Sequence, residues 1–388
     1  MKKNYFLFSI AMLFLFGYAA EAQKPKKEKV SYKYLKKPLQ KLDESIKTYN
    51  VVSEVVWEKE EKAKLALYEA EIVRANEDYD AEMETYNNKK TGNKIVERAL
   101  LGKENGGKPM KRHVPRPYIR PILDKSYISS QINLNGFERG TSNDLTIKII
   151  LQNAEIGAPR EIASRSEPIK YHFEATIRQP ISYEVIDASG NVIYTEVVNN
   201  TNTPKIVKSK EYTAGSAWDS YKRGSGWTTY LESQTTDQIN RNMRQVNISL
   251  NNQFGFSEIT RLAIVYNAES KKFDYKAQLT AAIKAKRAYE NYLVDKESAS
   301  EKFNECIEIW KKELEESNPD NKKSRINGAV TQALYCNIAE AYITIGEYSK
   351  AADYLDELDL MVNGGKKKFE KRAELIRHFY KDEKKRNT

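Results

Sequence analysis

The stretch NIAEAYITIGEYSKAADYLDEL, residues 337–358, decides the fold of the last third of the chain. Apolar and small residues recur in it at helical steps of three and four, and one glycine, Gly346, divides the run. Small side chains at Ala339 and Ala351 let two antiparallel helices approach closely, while larger neighbours fill the groove beside them. The sequence therefore predicts a helical hairpin that turns at Gly346.

This hairpin resembles one unit of the tetratricopeptide repeat (TPR), whose pattern of roughly 34 residues alternates small and aromatic positions at similar offsets. Tyr335 stands where the family prefers Trp, Leu355 replaces an aromatic residue, and Asn363 occupies the place of a closing Pro. Residues 299–310 resemble the second helix of an earlier unit. The resemblance covers the C-terminal region alone and implies a surface that binds peptides or helices of other proteins. The matching residues are Tyr335, Ile338, Ala339, Tyr342, Gly346, Tyr348, Ala351 and Leu355.

Composition and periodicity divide the rest of the chain outward from this hairpin. The predicted fold class is α+β, with a long N-terminal helix, a β-sandwich-like middle module and a C-terminal TPR-like helical unit. The predicted segments are a signal peptide at 1–22, a disordered basic leader followed by a possible strand at 23–56, a long amphipathic helix at 57–98, a basic Pro/Gly linker at 99–125, a β-rich module with an inserted helix at 126–272 and the helical domain at 273–388.

The opening of the chain, MKKNYFLFSIAMLFLFGYAAEAQ, has the pattern of an export signal. A basic start precedes an apolar run at residues 6–20, and Ala20 and Ala22 form an A-x-A cleavage site. The run is shorter than the roughly 20 residues that span a bilayer. We expect a bacterial protein that is cleaved before Gln23 and resides in the periplasm, with secretion as the alternative.

Two patterns indicate the elements between the signal and the hairpin. In residues 57–88, aromatic and apolar residues follow one helical face, which serves either as a partner-binding arm or as a surface packed on the same protein. Strands are predicted where β-branched and aromatic residues cluster, and Gly190 in DASGN marks a tight hairpin turn. The predicted strands are KTYNVVSEVV, YISSQINLN, DLTIKIILQ, KYHFEATIR, ISYEVID, NVIYTEVV and RLAIVYN.

The net charge of +10 is concentrated in two basic segments, residues 24–37 and 364–388. An exported chain rarely meets nucleic acid, and neither segment contains a nucleic-acid recognition motif, so we expect no nucleic-acid partner. An acidic protein or anionic lipid headgroups are better candidates. The plain alternative is that both segments are solvated, unstructured tails.

Motifs for catalysis and metal binding are lacking in the sequence. The three histidines, His113, His172 and His378, lie in separate segments, and no zinc, nucleophile or phosphate-loop pattern occurs. We therefore predict a protein that is not an enzyme and has no cofactor or metal. A hydrolase built on two distant carboxylates stays open, because such acids need spatial rather than sequence proximity.

One stretch, SAWDSYKRGSGWTTYLE at residues 216–232, is dense in aromatic residues. Trp218, Tyr221, Trp227 and Tyr230 can stack on sugar rings, or they can anchor a loop between sheet and helix. Elsewhere, Cys306 and Cys336 fall on predicted helices.

Export permits a disulfide between the two cysteines, whereas small apolar packing is the alternative.

The function expected from these features is that of an exported periplasmic scaffold or adaptor. Its TPR-like region would bind other envelope proteins, as an accessory of a secretion, surface-assembly or polysaccharide-uptake machine. The alternatives are a carbohydrate- or peptidoglycan-binding envelope protein and an unrecognised hydrolase.

Overall fold

The computed structural model describes residues 23–99, 108–140, 144–165 and 167–388. The predicted signal peptide lies outside these residues. The strands, in chain order, are β1 (Lys24–Lys36), β2 (Thr48–Val55), β3 (Glu138–Arg139), β4 (Leu145–Leu151), β5 (Glu155–Ile156), β6 (Arg160–Ala163), β7 (Lys170–Arg178), β8 (Ile181–Asp187), β9 (Val192–Val197), β10 (Lys205–Lys208), β11 (Tyr212–Thr213) and β12 (Ser257–Glu269).

Ten α-helices complete the described part of the chain, so the predicted α+β class is confirmed. They are α1 (Glu58–Asn88), α2 (Thr91–Ala99), α3 (Lys125–Ser130), α4 (Ser216–Arg223), α5 (Gly226–Gln253), α6 (Lys276–Asn291), α7 (Lys296–Leu314), α8 (Gly328–Ile345), α9 (Tyr348–Asn363) and α10 (Glu370–Asn387).

The described chain divides into two compact units that differ from the predicted segments. Residues 42–253 form one unit, here called the sheet unit. Residues 23–41 join residues 254–388 to form the other, here called the helical unit. Strand β12 was predicted inside the β-rich module at 126–272, but it belongs to the helical unit because β1 and the helices bury it there.

In the helical unit, β1 and β12 form a two-stranded antiparallel sheet of thirteen residues each, here called the strand pair. The basic leader was predicted to lack structure, and this is wrong. Val30, Tyr32 and Tyr34 alternate with exposed residues along β1, so one face of the strand is apolar and packs into the core despite the lysines on the other.

The helices of this unit form two hairpins and a final helix. Helix α6 packs on α7, α8 packs on α7 and α9, and α10 packs on α8 and α9. Helix α8 is the centre, with fifteen of its eighteen residues buried, which fits its apolar and small residues on every side. The residues that carry the repeat resemblance form the α8–α9 hairpin, and Gly346 turns it with a left-handed φ of 88°.

The sheet unit contains two five-stranded sheets. In the first sheet the strand order is β3-β2-β4-β8-β9, with β2 parallel to both β3 and β4. In the second, β7 is central, with β10 and β11 along one side and β5 and β6 along the other. The inserted helix α5 packs on β8, and its Trp227 and Leu231 join the apolar cluster of β7 and β10.

The hairpin predicted at DASGN is confirmed, whereas the strand predicted at YISSQINLN is wrong. Strands β8 and β9 pair across a turn in which Gly190 has φ 86° and Asp187 Oδ1 accepts from Asn191 N at 2.9 Å. Residues of YISSQINLN instead begin in the short helix α3. The side chain of Asp124 accepts hydrogen bonds from the first turn and so caps this helix.

The linker predicted at 99–125 is irregular from residue 108 to residue 124 and is anchored to the sheet unit. Arg120 Nε donates to the fully buried Glu61 of α1 at 2.6 Å, and Trp57 Nε1 donates to Pro121 O at 3.1 Å. The helix predicted at 57–98 is divided in two, because α1 ends at Asn88, Lys89 is extended and α2 begins at Thr91. The aromatic stripe from Tyr68 to Tyr86 is half-buried.

Candidate functional site

The face of the helical unit formed by α6, α8 and α10, here called the inner face, is occupied by the strand pair. Both strands pack against α6 and α8. Rings on the strands also contact the segment that ends in α10, with Tyr34 at 6.1 Å from Phe379 and Tyr266 at 5.1 Å from Phe369, centroid to centroid. This face is thus covered by two extended segments of the same chain.

The side chain of Asn337 on α8 binds the main chain of β12. Tyr266 N donates to Asn337 Oδ1, and Asn337 Nδ2 donates to Tyr266 O, both at 2.8 Å. The Asn337 side chain is buried, with 3% of its surface exposed. A side-chain amide that hydrogen-bonds both main-chain polar groups of one strand residue binds an extended segment whatever the side chain of that residue is.

A buried ionic triad lies one helical turn further along α8. Glu340, only 1% exposed, accepts from Arg261 Nη2 of β12 at 2.6 Å and also pairs with Arg372 of α10. The Arg261 guanidinium lies 3.6 Å from the centroid of the Phe379 ring. One carboxylate therefore connects the strand pair to two helices, and removal of it would leave two cations in the core.

A cavity of about 340 Å³ opens where the start of β1, the loop before α8 and the segment before α10 meet. Five lysines line it and no carboxylate does. We call it the lysine cavity; its lysines are Lys24, Lys322, Lys366, Lys367 and Lys368.

Local structure explains how these lysines converge. The Asn327 side chain caps α8 by accepting from Ala329 N and Val330 N, and it donates to Gln23 O beside β1 at 3.3 Å. At Gly328 an added Cβ would lie 2.8 Å from Pro319 O and 3.2 Å from Lys366 Cδ, so only glycine lets this segment close.

The charges of the lysine cavity are largely unneutralised. Lys366 Nζ pairs with Asp320 at 2.9 Å, but in the described residues Lys24, Lys322, Lys367 and Lys368 form no ion pair. Partial desolvation, together with the nearby charge of Lys24, lowers the pKa of Lys368. The cavity brings positive charges close together, and an anionic group bound there would reduce their mutual repulsion.

The aromatic residues predicted to stack on sugars are instead packed against the second sheet. Trp218 is 4% exposed and stacks on Tyr171 at 5.8 Å, while Trp227 is 9% exposed and lies 5.2 Å from Phe173. Because protein rings cover both indoles, neither offers the free face that sugar stacking needs. Tyr221 and Tyr230 are half-buried in the same cluster.

The candidate disulfide is not formed. Cys306 of α7 and Cys336 of α8 are both buried free thiols. Cys306 Sγ lies 3.3 Å from Ala281 O, and burial raises the pKa of each thiol to about 12. Both cysteines pack as small apolar side chains in the helical core.

Comparisons with known proteins add little to this geometry. No protein-family model matches the chain, and no curated protein matches it. Among solved structures, a minor lipoprotein from Acinetobacter baumannii is 11% identical, with alignment over 32% of this chain and 79% of that chain at a TM-score of 0.16. A likeness at that score carries no argument about fold or function.

No helix among the described residues has the length and apolarity that a bilayer span requires. Clusters of three or more metal-ligating side chains are likewise not found in that part of the chain.

Proposed function

We propose that this chain is an exported, non-enzymatic scaffold of the bacterial envelope that binds an acidic partner protein through its helical unit. The single observation that carries the proposal is the lysine cavity, which is lined by five lysines and by no carboxylate. Export rests on the signal pattern at residues 1–22.

The occupied inner face supports the choice of this cavity. A partner that used the face of α6, α8 and α10 would have to displace the strand pair, whose Tyr32, Tyr34 and Tyr266 are buried in the core. The lysine cavity needs no such displacement. Five lysines and Pro319 are among its lining residues, and lysine stems and proline supply apolar surface beside the ammonium groups. Such a lining suits a carboxylate-bearing loop or chain end with some apolar surface.

The test compares two triple variants of the full-length protein in cells. Lys322→Glu, Lys367→Glu and Lys368→Glu reverse three charges that have no ion pair among the described residues, and so they should leave folding intact. The matched control reverses three exposed lysines of the same unit outside the cavity, namely Lys271, Lys381 and Lys385.

We expect acidic envelope proteins, identified by crosslinking and mass spectrometry, to be retained by the wild type and the control and lost from the cavity variant. Retention should also weaken with salt, as the Debye length falls from about 10 Å at 0.1 M to about 3 Å at 1 M. Equal retention by the cavity variant would refute the proposal. Export has a separate test, because purified protein from cells that still begins at Met1 would contradict it.

A further inference from the structure

A second cleft lies in the sheet unit, between strand β10 and helix α5, and it is independent of the lysine cavity. Its volume of about 760 Å³ is within the range of ligand-binding sites. Strand β10 contributes one wall through Lys205, Ile206, Val207 and Lys208, and α5 contributes most of the other. We call it the strand-edge cleft.

The charges that face the strand-edge cleft all have one sign. Lys205, Lys208, Arg241 and Arg244 line it, and no carboxylate is among its lining residues. Lys208 pairs with Glu174 at 2.7 Å, whereas within the described residues Lys205, Arg241 and Arg244 form no ion pair. An anionic ligand would therefore find uncompensated cations on both walls.

At Ile206, the main-chain N–H and C=O of β10 point away from the neighbouring strand β7. Ser209 N donates to Phe173 O at 2.9 Å, and hydrogen-bonded pairs alternate along an antiparallel ladder. Thr176, which is opposite Ile206, uses its carbonyl to accept from Gly157 N on the other side of β7. The main-chain N–H and C=O of Ile206 are thus available to another strand.

Buried amides hold the helical wall in position. Gln238 and Asn242 are 3% and 2% exposed, and Gln238 Nε2 donates to Asn242 Oδ1 at 2.7 Å. Asn242 Nδ2 in turn donates to Gln179 O at 2.6 Å. Gln238 Oε1 accepts from Arg241 Nη2 at 3.2 Å and so orients the guanidinium, whose other donors have no partner among the described residues.

We propose that the strand-edge cleft binds an extended, acidic peptide segment that adds to β10 as a strand. The peptide main chain pairs with Ile206, and its carboxylates, on alternate residues, reach Arg241, Arg244 and Lys205. A strand partner is favoured over an anionic oligosaccharide because the exposed N–H and C=O of one strand residue match the repeat of a peptide backbone.

Direct binding of defined probes to the full-length protein tests this site. The probe is a labelled peptide of alternating glutamate and valine, measured by fluorescence anisotropy. Arg241→Ala combined with Arg244→Ala should weaken binding by about tenfold or more, because charge-assisted hydrogen bonds are lost. The control, Arg160→Ala with Arg165→Ala, alters two exposed arginines outside the cleft, at and beside the opposite edge of the same sheet, and should leave affinity unchanged.

Two further measurements separate strand addition from simple charge attraction. Ile206→Pro removes an outward N–H that the ladder does not use, and it should abolish peptide binding while circular dichroism stays native. On the ligand side, a peptide with N-methyl groups at alternate residues should bind at least about tenfold more weakly to the unaltered protein. Equal binding of the methylated peptide, no effect of the Arg241 and Arg244 changes, or tighter binding of oligogalacturonate than of the peptide would overturn the proposal.

Discussion

The two units of this protein differ in how their helices lie against a strand. In the helical unit the long strands β1 and β12 lie on the inner face of the helices, where Asn337 and Glu340 of α8 hold β12. In the sheet unit the short strand β10 leaves its outer edge open at Ile206, whereas Lys208 O on that edge accepts from the Tyr230 hydroxyl of α5. Helices that contact a strand on several sides leave it no surface for another partner. A helix that lies beside a strand edge leaves main-chain groups of that edge able to bind one.

The largest expected effect is on the helical unit. Glu340→Gln leaves Arg261 and Arg372 buried without their counter-charge, so it should cost about 3–5 kcal/mol of unfolding free energy. Hydrogen exchange read by mass spectrometry should show lost protection in α8 and β12 and unchanged protection in β7. Glu374→Gln, an exposed change on α10, is the control. If α8 and β12 stay protected in Glu340→Gln, the triad does not lock the strand pair.

A smaller loss is expected when the main-chain grip on β12 is removed. Asn337→Ala leaves the buried N–H and C=O of Tyr266 without partners, at a cost of about 2–3 kcal/mol in urea unfolding. The matched change is Asn267→Ala on the next residue of β12. Asn267 is also buried, but its side-chain N and O have no partner among the described residues, so its loss should be near neutral. Equal costs for the two variants would mean that the grip contributes nothing specific.

Replacing one glycine in each unit tests how far the backbone conformation there requires glycine. Gly346→Ala forces a side chain into the left-handed φ of 88° at the end of α8 and should cost about 1–2 kcal/mol. Gly92→Ala, in helix α2 of the sheet unit, meets no atom within 4 Å and should be neutral or stabilising by up to about 1 kcal/mol. Thermal unfolding of both variants measures the difference; a neutral Gly346→Ala would contradict the strained turn.

The smallest expected effects concern pH. Burial, with the charge of Asp382, raises the pKa of Glu383 above 4.5, although the hydrogen bond from Tyr34 and the charges of Lys36 and Arg386 oppose the shift. A carboxyl group whose pKa is raised on folding contributes stability that is fully present below its unfolded-state pKa. That stability is lost as pH rises through its folded-state pKa. Glu383→Gln should therefore gain stability relative to wild type as pH rises above 4.5.

The sheet unit should show the opposite direction. Hydrogen bonds from Lys47 N and Thr48 N, with the Thr48 hydroxyl, lower the pKa of Asp144. Its contribution is present above the unfolded-state pKa and is lost as pH falls through the folded-state pKa. Asp144→Asn should thus lose stability relative to wild type as pH rises from about 3 to about 6. Identical pH trends in melting temperature for Asp144→Asn and Glu383→Gln would break this part of the comparison.

Local patterns in the sequence were sufficient for the helical hairpin and for six of the seven strands that are at least six residues long. Ala339, Gly346 and Ala351 specify close helix packing and a left-handed turn within one short stretch, so no distant residue is needed. Strand β1 was missed although VSYKY shows the two-residue alternation of a strand, because six lysines gave that segment the composition of a solvated tail. Its partner β12 lies too far along the chain for local patterns to indicate.

The candidate sites were harder to predict because their residues are scattered. Lys24 and Lys322 join Lys366 only through the pairing of β1 and the cap of α8, and the sequence showed merely two separate basic segments. Trp218 and Trp227 illustrate the reverse problem. Their spacing suits either a sugar platform or a packed cluster, and only the position of Tyr171 and Phe173 on β7 decides that the rings are covered.

The division of the helical unit into two chain segments has a consequence for the order of folding. Lys24 pairs with Glu269, 245 positions later, and the whole sheet unit lies between them. Synthesis proceeds from the amino end and domains generally fold as units, so the continuous sheet unit can complete its folding while β1 still waits for a partner. Closing so long a loop costs only about 0.6 kcal/mol more than closing one half as long. During that wait the lysines of β1 discourage pairing with other nascent chains, and the last helices to emerge are the ones that fix the first strand in place.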